Sequence, residues 1–289
     1  MISKNKKFVI GALHFMPLKD YQGYTDYRTI QEKAKADLKA FENGGVDFVI
    51  IENNYNLPHR IKETKEVVEM MCQLAKGLAN ISNVPLGVSL LWNDFEGAFA
   101  IAKVSGARFV RVPVFVDSVK TDFGEIIAEP EKVLAAREKI KAEDILIFAD
   151  IHVKHAEMLD RKKSIADSAK EAKDKGADAI IITGRWTGDA PILDDLKEAR
   201  KAVGPDFPII VGSGADKENV RHLLAIADGV IVSTALKEGG SECKEVERNL
   251  KPYSARIDVN KVREFMNIVR NVGKPETNGG SYDRSNNIR

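Results

Sequence analysis

One local pattern recurs along the chain and leaves few folds open to it. A helix-like stretch ends on Gly or a short polar turn and runs into β-branched and aliphatic residues. It appears as GGVDFVIIEN (44–53), SGARFVRVPV (105–114), KGADAIIITG (175–184) and IADGVIVST (226–234). Glycine suits the left-handed position after a helix, and an apolar run without polar alternation suits a parallel strand covered on both faces. FVIGALH (8–14), PLGVSLLW (85–92), ILIFADIH (145–152) and FPIIVGSG (207–214) bring the series to eight strands. Helical patterns fill the intervals at 27–42, 61–78, 94–104, 131–139, 163–175, 193–203 and 217–225, with a last one at 259–269. The first places Ile30, Ala34, Leu38 and Phe41 on one face at 3–4 spacing.

Strands alternating with helices imply βαβ units and a parallel sheet, and eight units predict an α/β chain folded as a (β/α)8 TIM barrel. A single domain over residues 1–272 is expected, followed by a polar, poorly ordered tail at 273–289. An open doubly wound sheet is the alternative, but the first strand–helix turn, LHFMPLKD, lacks a Gly-rich dinucleotide fingerprint.

The 289 residues carry 44 basic and 43 acidic side chains, a net charge of +1 that excludes a general nucleic-acid binder. Cys72 and Cys243 are too few and too far apart for a disulfide framework and read as reduced thiols. The apolar run at 8–13 is too short for a signal-peptide core or a membrane span, so a cytoplasmic protein is expected. Partner expectations are therefore a small phosphorylated molecule, no nucleic acid and no membrane span, with a homo-oligomer left open.

The strand ends carry the chemistry. Asp150, His152 and Lys154 stand at alternate positions closing the fifth strand, and period-2 geometry sends all three to one face. Unpaired buried charges would cost several kcal/mol each, so that face is expected to open on a polar cavity at the barrel mouth. Asp150 and His152 are candidates for general acid/base work, and Lys154 for oxyanion stabilisation or, if desolvated, a Schiff base. Arg111 in the fourth strand and Arg185 after the sixth would orient anionic groups. Glu52 is either a second acid/base or, with Asp150 and a histidine, a ligand for a divalent metal; nothing in the sequence requires a cofactor. His14, Asn53, Asn93, Asp94, Asp122 and Thr183 join the substrate-binding candidates. Each alone reads equally as a satisfied polar residue of the barrel; their convergence on one mouth carries the inference.

A second signal lies in VGSGAD (211–216) and VSTALK (232–237), which close the seventh and eighth strands. In β/α barrels these loops often hold phosphate through backbone N–H groups. Gly212, Ser213, Gly214, Ser233 and Thr234 are the candidates, against the alternative of ordinary turns that need small residues. The stretch at 117–130, with Thr121, Asp122 and Gly124, is the longest candidate lid or else a solvated insertion. His59 and His222 are given no role, and Trp92 and Trp186 suit pocket walls and barrel packing equally.

IGALHFMPL, GGVDFVIIEN, GVSLLWND, RVPV with TDFGEI, ADIHVKHA, TGRWTG, VGSGAD and DGVIVSTALK together resemble the BtpA family, sometimes grouped with the SgcQ proteins, over residues 8–272. ADIHVKHA and the TG-x-x-TG element are the specific parts. The resemblance implies a β/α barrel. It links the chain to proteins associated with photosystem I assembly in cyanobacteria, and to others labelled phosphoribosylanthranilate-isomerase-like or nucleosidase-like. It also implies polar residues where this chain has Ser89, Trp92, Pro113 and Phe115. The resulting expectation is an enzyme for a small phosphorylated sugar or nucleoside-like compound, of isomerase, lyase or nucleosidase type. The competing expectation is a non-enzymatic assembly or regulatory factor.

Overall fold

A computed structural model gives the fold and describes residues 6–185, 187–239 and 252–272; Trp186, Cys243 and the polar tail lie outside them. Strand β1 (Phe8–His14) leads through helix α1 (Tyr27–Gly44) to β2 (Phe48–Glu52), and α2 (Lys65–Ala79) leads to β3 (Leu86–Ser89). Helix α3 (Phe95–Ser105) and β4 (Phe109–Val112) follow, then a hairpin, β5 (Val119–Thr121) and β6 (Gly124–Ile126). After α4 (Pro130–Lys139) come β7 (Leu146–Ile151), the short β8 (Ala156–Met158) and α5 (Ile165–Asp174). The chain continues with β9 (Ala179–Ile182), α6 (Leu193–Val203), β10 (Ile209–Val211), α7 (Val220–Leu224) and β11 (Gly229–Val232), and ends in α8 (Val259–Arg270).

Eight of these strands close a parallel barrel in the order β1-β11-β10-β9-β7-β4-β3-β2, so every barrel strand neighbours the ones before and after it in sequence. The eight expected strands are all present. Gly45 and Gly106 close α1 and α3 with φ of 91° and 72°, the left-handed geometry that the recurring glycine predicts. Two expected helices are shorter than their patterns. The 61–78 pattern becomes helical only after Thr64, whose side chain caps Val67 N–H, and α7 keeps five residues.

The core has two layers. Outside the barrel wall, strand residues such as Val49, Val88, Ile147 and Ile180 pack under helix residues such as Leu38, Phe41, Leu74 and Phe99. Complete burial of side chains this size contributes about 1.5–3 kcal/mol each. Inside, Phe8, Ile10, Ala12, Ile50, Phe109, Phe148, Ala179, Ile181, Ile210 and Ile231 fill the lumen, with Phe109 and Phe148 stacked at 4.4 Å. Gly87 lets the Phe109 ring fit, since a Cβ there would meet that ring at 2.2 Å. Large and small residues alternate to fill the narrowing barrel.

The stretch at 117–130, expected as a lid or a solvated insertion, carries ordered strands. β5 pairs antiparallel with β6 and also with β8, from Val119↔Met158 to Thr121↔Ala156, which makes a three-stranded sheet above the barrel mouth. Trp92, Val114, Val119, Ile126 and Val153 form its own small core. Period-2 reading of the sequence passed over all three strands because each is three residues long.

Candidate active site at the barrel mouth

Two-residue alternation continued from the lumen residues gives the last inward position of each barrel strand. These positions are His14, Glu52, Ser89, Arg111, Asp150, Thr183, Gly212 and Ser233. Along the run of neighbouring strands β1, β2, β3, β4 and β7, all but β3 supply ionisable groups, and the remaining strands supply small ones.

The ionisable groups form one connected chain. Arg111 donates to Asp150 through Nε to Oδ1 and Nη2 to Oδ2, both at 2.8 Å, and its Nη1 reaches Glu52 Oε1 at 3.1 Å. Glu52 Oε2 lies 3.3 Å from His14 Nε2. Beyond His14, Lys237 Nζ sits 3.4 Å from Nδ1 and donates to Tyr55 Oη at 2.8 Å. These contacts fix the His14 tautomer: Nε2–H points at Glu52 and Nδ1 accepts from Lys237.

Burial and neighbours set the charges apart. Burial, with the nearby Lys237 ammonium, lowers His14 to about 4, so it is neutral. Burial pushes Glu52 up, but the His14 hydrogen bond and Arg111 outweigh it and hold the carboxyl at about 2. Asp150, completely buried, is pushed up by burial against the pull of Arg111. Two carboxylates on one guanidinium are thus separated: Glu52 stays ionised and Asp150 is the easier to protonate. Lys154 is lowered to about 8, first by burial and then by Arg111, against Glu52 and Asp150.

Lys154 reaches the mouth by a turn rather than by strand alternation. β7 stops at Ile151, and His152 and His155 adopt left-handed φ of 47° and 59°. The Lys154 N–H donates to Thr183 Oγ1 at 2.9 Å, and His155 Nε2 contacts Thr187 Oγ1 at 2.9 Å. His152 departs from the expectation. Its N–H goes to Asp117 Oδ2, its Nε2 is buried without a hydrogen-bond partner, and its ring lies in electrostatic reach of Asp195 in the first turn of α6. The structure therefore brings Asp150 and Lys154 together with Arg111 and Glu52, and leaves His152 on the helix side.

The other expected residues divide between structure and site. Asn53 donates to Leu91 O and Glu63 and accepts from Leu91 N–H; Asn93 brackets Val114 N–H and C=O; Asp94 caps α3 and holds Glu63 N–H. Their polar atoms fasten the loops of the mouth together. Arg185 has an exposed side chain and takes part through its backbone, which bonds Asp189 and His155. Asp122 does reach the cavity, from the tip of the β5–β6 hairpin.

Among the expected phosphate residues, Gly212 N–H is spent on Ile182 O, and the Ser213 hydroxyl on Asp189 O and Gly184 N–H. The backbone N–H groups of Gly214, Ala215, Thr234 and Ala235 donate to no other described residue, and the buried Ser233 hydroxyl has no partner. Among the described residues, no three or more His, Cys, Asp or Glu side chains are grouped to hold a metal ion. The Arg111 guanidinium stands between the two carboxylates at the mouth.

A cavity of about 90 Å³ opens above this cluster, with Glu52, Arg111, Lys154 and His155 on its polar side. Its apolar side is Leu57, His59, Leu91, Trp92, Pro113 and Phe123, with His59 set edge-on to Phe123 at 5.4 Å. Sequence reasoning missed His59, Phe123, Tyr55 and Lys237. Lys237 stood inside VSTALK and is nearly fully buried, at 2% exposure. A lysine directly after a predicted barrel strand was the available signal.

A closed parallel barrel with a charged C-terminal mouth defines the molecule as a TIM-barrel protein. Among solved structures it resembles the thiamine phosphate pyrophosphorylase of Pyrococcus furiosus, with a TM-score of 0.57, 18% identity, and coverage of 93% of this chain and 98% of that one. It also resembles the N-(5'-phosphoribosyl)anthranilate isomerase of the same organism, with a TM-score of 0.52, 15% identity, and coverage of 92% and 100%. At that identity the likeness shows the fold alone. The chain belongs to the BtpA family, whose model matches residues 5–271. An uncharacterized protein of Methanocaldococcus jannaschii is 35% identical over 269 residues, 92% of this chain and 97% of its own length. The photosystem I biogenesis protein BtpA of Synechocystis is 35% identical over 236 residues, 81% of each chain. A Caenorhabditis elegans protein whose name carries the word mitochondrial is 32% identical over 280 residues, 94% of this chain and 96% of its own. Among the described residues, no helix is long and apolar enough to cross a membrane.

Proposed function

We propose that the protein is an enzyme acting on a small phosphorylated sugar or nucleoside-like compound, by isomerisation, lyase-type cleavage or glycosidic-bond cleavage. The observation that carries this reading is the buried chain His14–Glu52–Arg111–Asp150, with Lys154 beside it on a cavity. A barrel needs none of these charges for packing, and burying them is costly unless they act on something. In this reading the free N–H groups of Gly214, Ala215, Thr234 and Ala235, with the Ser233 hydroxyl, take the phosphate. Arg111 and Lys154 face the anionic or carbonyl oxygen, and Glu52 and Asp150, with their separated proton affinities, move protons. The apolar wall of Trp92 and Phe123 covers the rest of the substrate.

Thermal unfolding with paired ligands tests the reading. Ribose 5-phosphate and nucleoside monophosphates should stabilise the protein, by about 2.7 kcal/mol at a hundred times Kd, while ribose and the nucleosides should not. Equal effects from both sets, or none from either, refute the phosphate site. The name of the Synechocystis relative favours a second reading, a barrel that serves assembly rather than catalysis. A Glu52→Gln variant that loses no function in cells would support it.

A further inference from the structure

Lys154 differs from every other charged group at the mouth. Glu52 is held by His14 and Arg111, Asp150 by the Nε–Nη2 edge of Arg111, and Lys237 by Tyr55 and His14. Lys154 Nζ makes no hydrogen bond and no ion pair within 4.0 Å among the described residues, although it lines the cavity. A lysine retained for its charge would sit on one of the two carboxylates nearby. This one is instead positioned through its backbone, by the bond to Thr183, and follows Val153 in the apolar cluster with Trp92 and Val114.

We propose that Lys154 is a nucleophile whose amine condenses with an aldehyde or ketone carbon of the substrate, so that the reaction passes through a protonated imine. The proposal rests on the mouth being the active site of the enzyme described above. It selects among the reaction types, because an imine eases loss of the neighbouring proton or carbon, the step an isomerase or lyase needs.

The environment supports nucleophilicity. Burial and the permanent cation of Arg111 both disfavour the ammonium form, and the amine at about 8 is roughly 10% free at neutral pH, against well under 0.1% for an ordinary lysine. The neutral nitrogen adds its lone pair to the carbonyl carbon, and the carbonyl oxygen takes a proton to become a hydroxyl. The nitrogen lone pair then expels that hydroxyl, which leaves as water with one further proton. From the ammonium form, one carbonyl compound and one Lys–NH3+ give one protonated imine and one water, with no oxidant or reductant. Glu52 and His155 line the same cavity.

Reductive trapping tests it. The whole protein is incubated with glyceraldehyde 3-phosphate or with glyceraldehyde in the presence of cyanoborohydride, then weighed intact and mapped by peptide. Lys154 should be labelled about tenfold or more faster than the exposed Lys65 on α2, with one adduct per chain at low probe concentration. The fast adduct should vanish in Lys154→Arg. Should that variant fail to fold, the map of the unaltered protein decides alone. Equal trapping of both probes at Lys154 keeps the imine and overturns the phosphate reading. Labelling of Lys154 no faster than Lys65 with either probe overturns the imine, and protection against thermal unfolding by inorganic phosphate then judges the phosphate reading separately.

Discussion

Arg111 binds Asp150 edge to edge, with two parallel hydrogen bonds of 2.8 Å between β4 and β7, and spends its remaining nitrogen on Glu52 of β2. The fork geometry makes this contact specific to arginine, and complete burial makes each partner dependent on the other.

Asp150→Asn therefore lowers stability as well as rate. From the strand end alone, the substitution would be expected to leave the fold unaffected. The structure reverses that, because the amide keeps one acceptor and turns a donor against Arg111. Loss of one member of a buried pair costs about 3–5 kcal/mol. The midpoint of thermal unfolding should fall by roughly 10 °C, and turnover, once a substrate is found, by about 10²–10⁴-fold. An unchanged midpoint would remove Arg111–Asp150 as a stabilising contact.

His14 makes the fold acid-sensitive in a defined window. Its folded value of about 4 lies below the ordinary histidine value of 6.5, so between those two pH values the unfolded chain binds the proton and the folded one does not. Stability is full above about 6.5 and is lost as pH falls toward 4, by up to about 3 kcal/mol. Glu52, held at about 2 against 4.5, continues the loss in the same direction at lower pH. Denaturant titrations of the parent and His14→Asn across this range should show a flatter slope in the variant. Parallel slopes would place the proton elsewhere.

Lys154→Met should raise stability at neutral pH. The folded state disfavours the ammonium, so the parent carries its penalty, up to about 3 kcal/mol, below pH 8 and sheds it as pH rises toward 10.5. The advantage of the variant should shrink over that interval in paired unfolding curves. A constant difference from pH 7 to 10.5 would trace the effect to packing instead of charge.

The barrel was readable because its signal is repeated. Eight aliphatic runs, four of them preceded by Gly or a short polar turn, give the strand count, and sequential order follows from right-handed βαβ connections. Glu52, Arg111 and Asp150 were readable because alternation holds while a strand lasts. It fails one residue after Ile151, where the left-handed φ of His152 opens a turn, and no period predicts such a turn. The roles of Asn53 and Asn93 depend on Leu91 and Val114, 38 and 21 residues away, and such pairings exist only once the loops meet. Most of the apolar wall escaped notice for a similar reason, since Leu57 and His59 in one loop and Phe123 in another meet Trp92 only once the loops come together.

The pairing of β5 with β8 joins the ceiling of the cavity to the side that carries Lys154. The cavity measures about 90 Å³, and the β5–β6 hairpin supplies two of its lining residues, Asp122 and Phe123. That hairpin is laced to Ala156–Met158, only one residue beyond the turn that carries Lys154 and His155. The β5–β8 pairing therefore fixes the height of Asp122 and Phe123 over the turn that carries Lys154, so a change in either strand is felt on both sides of the cavity.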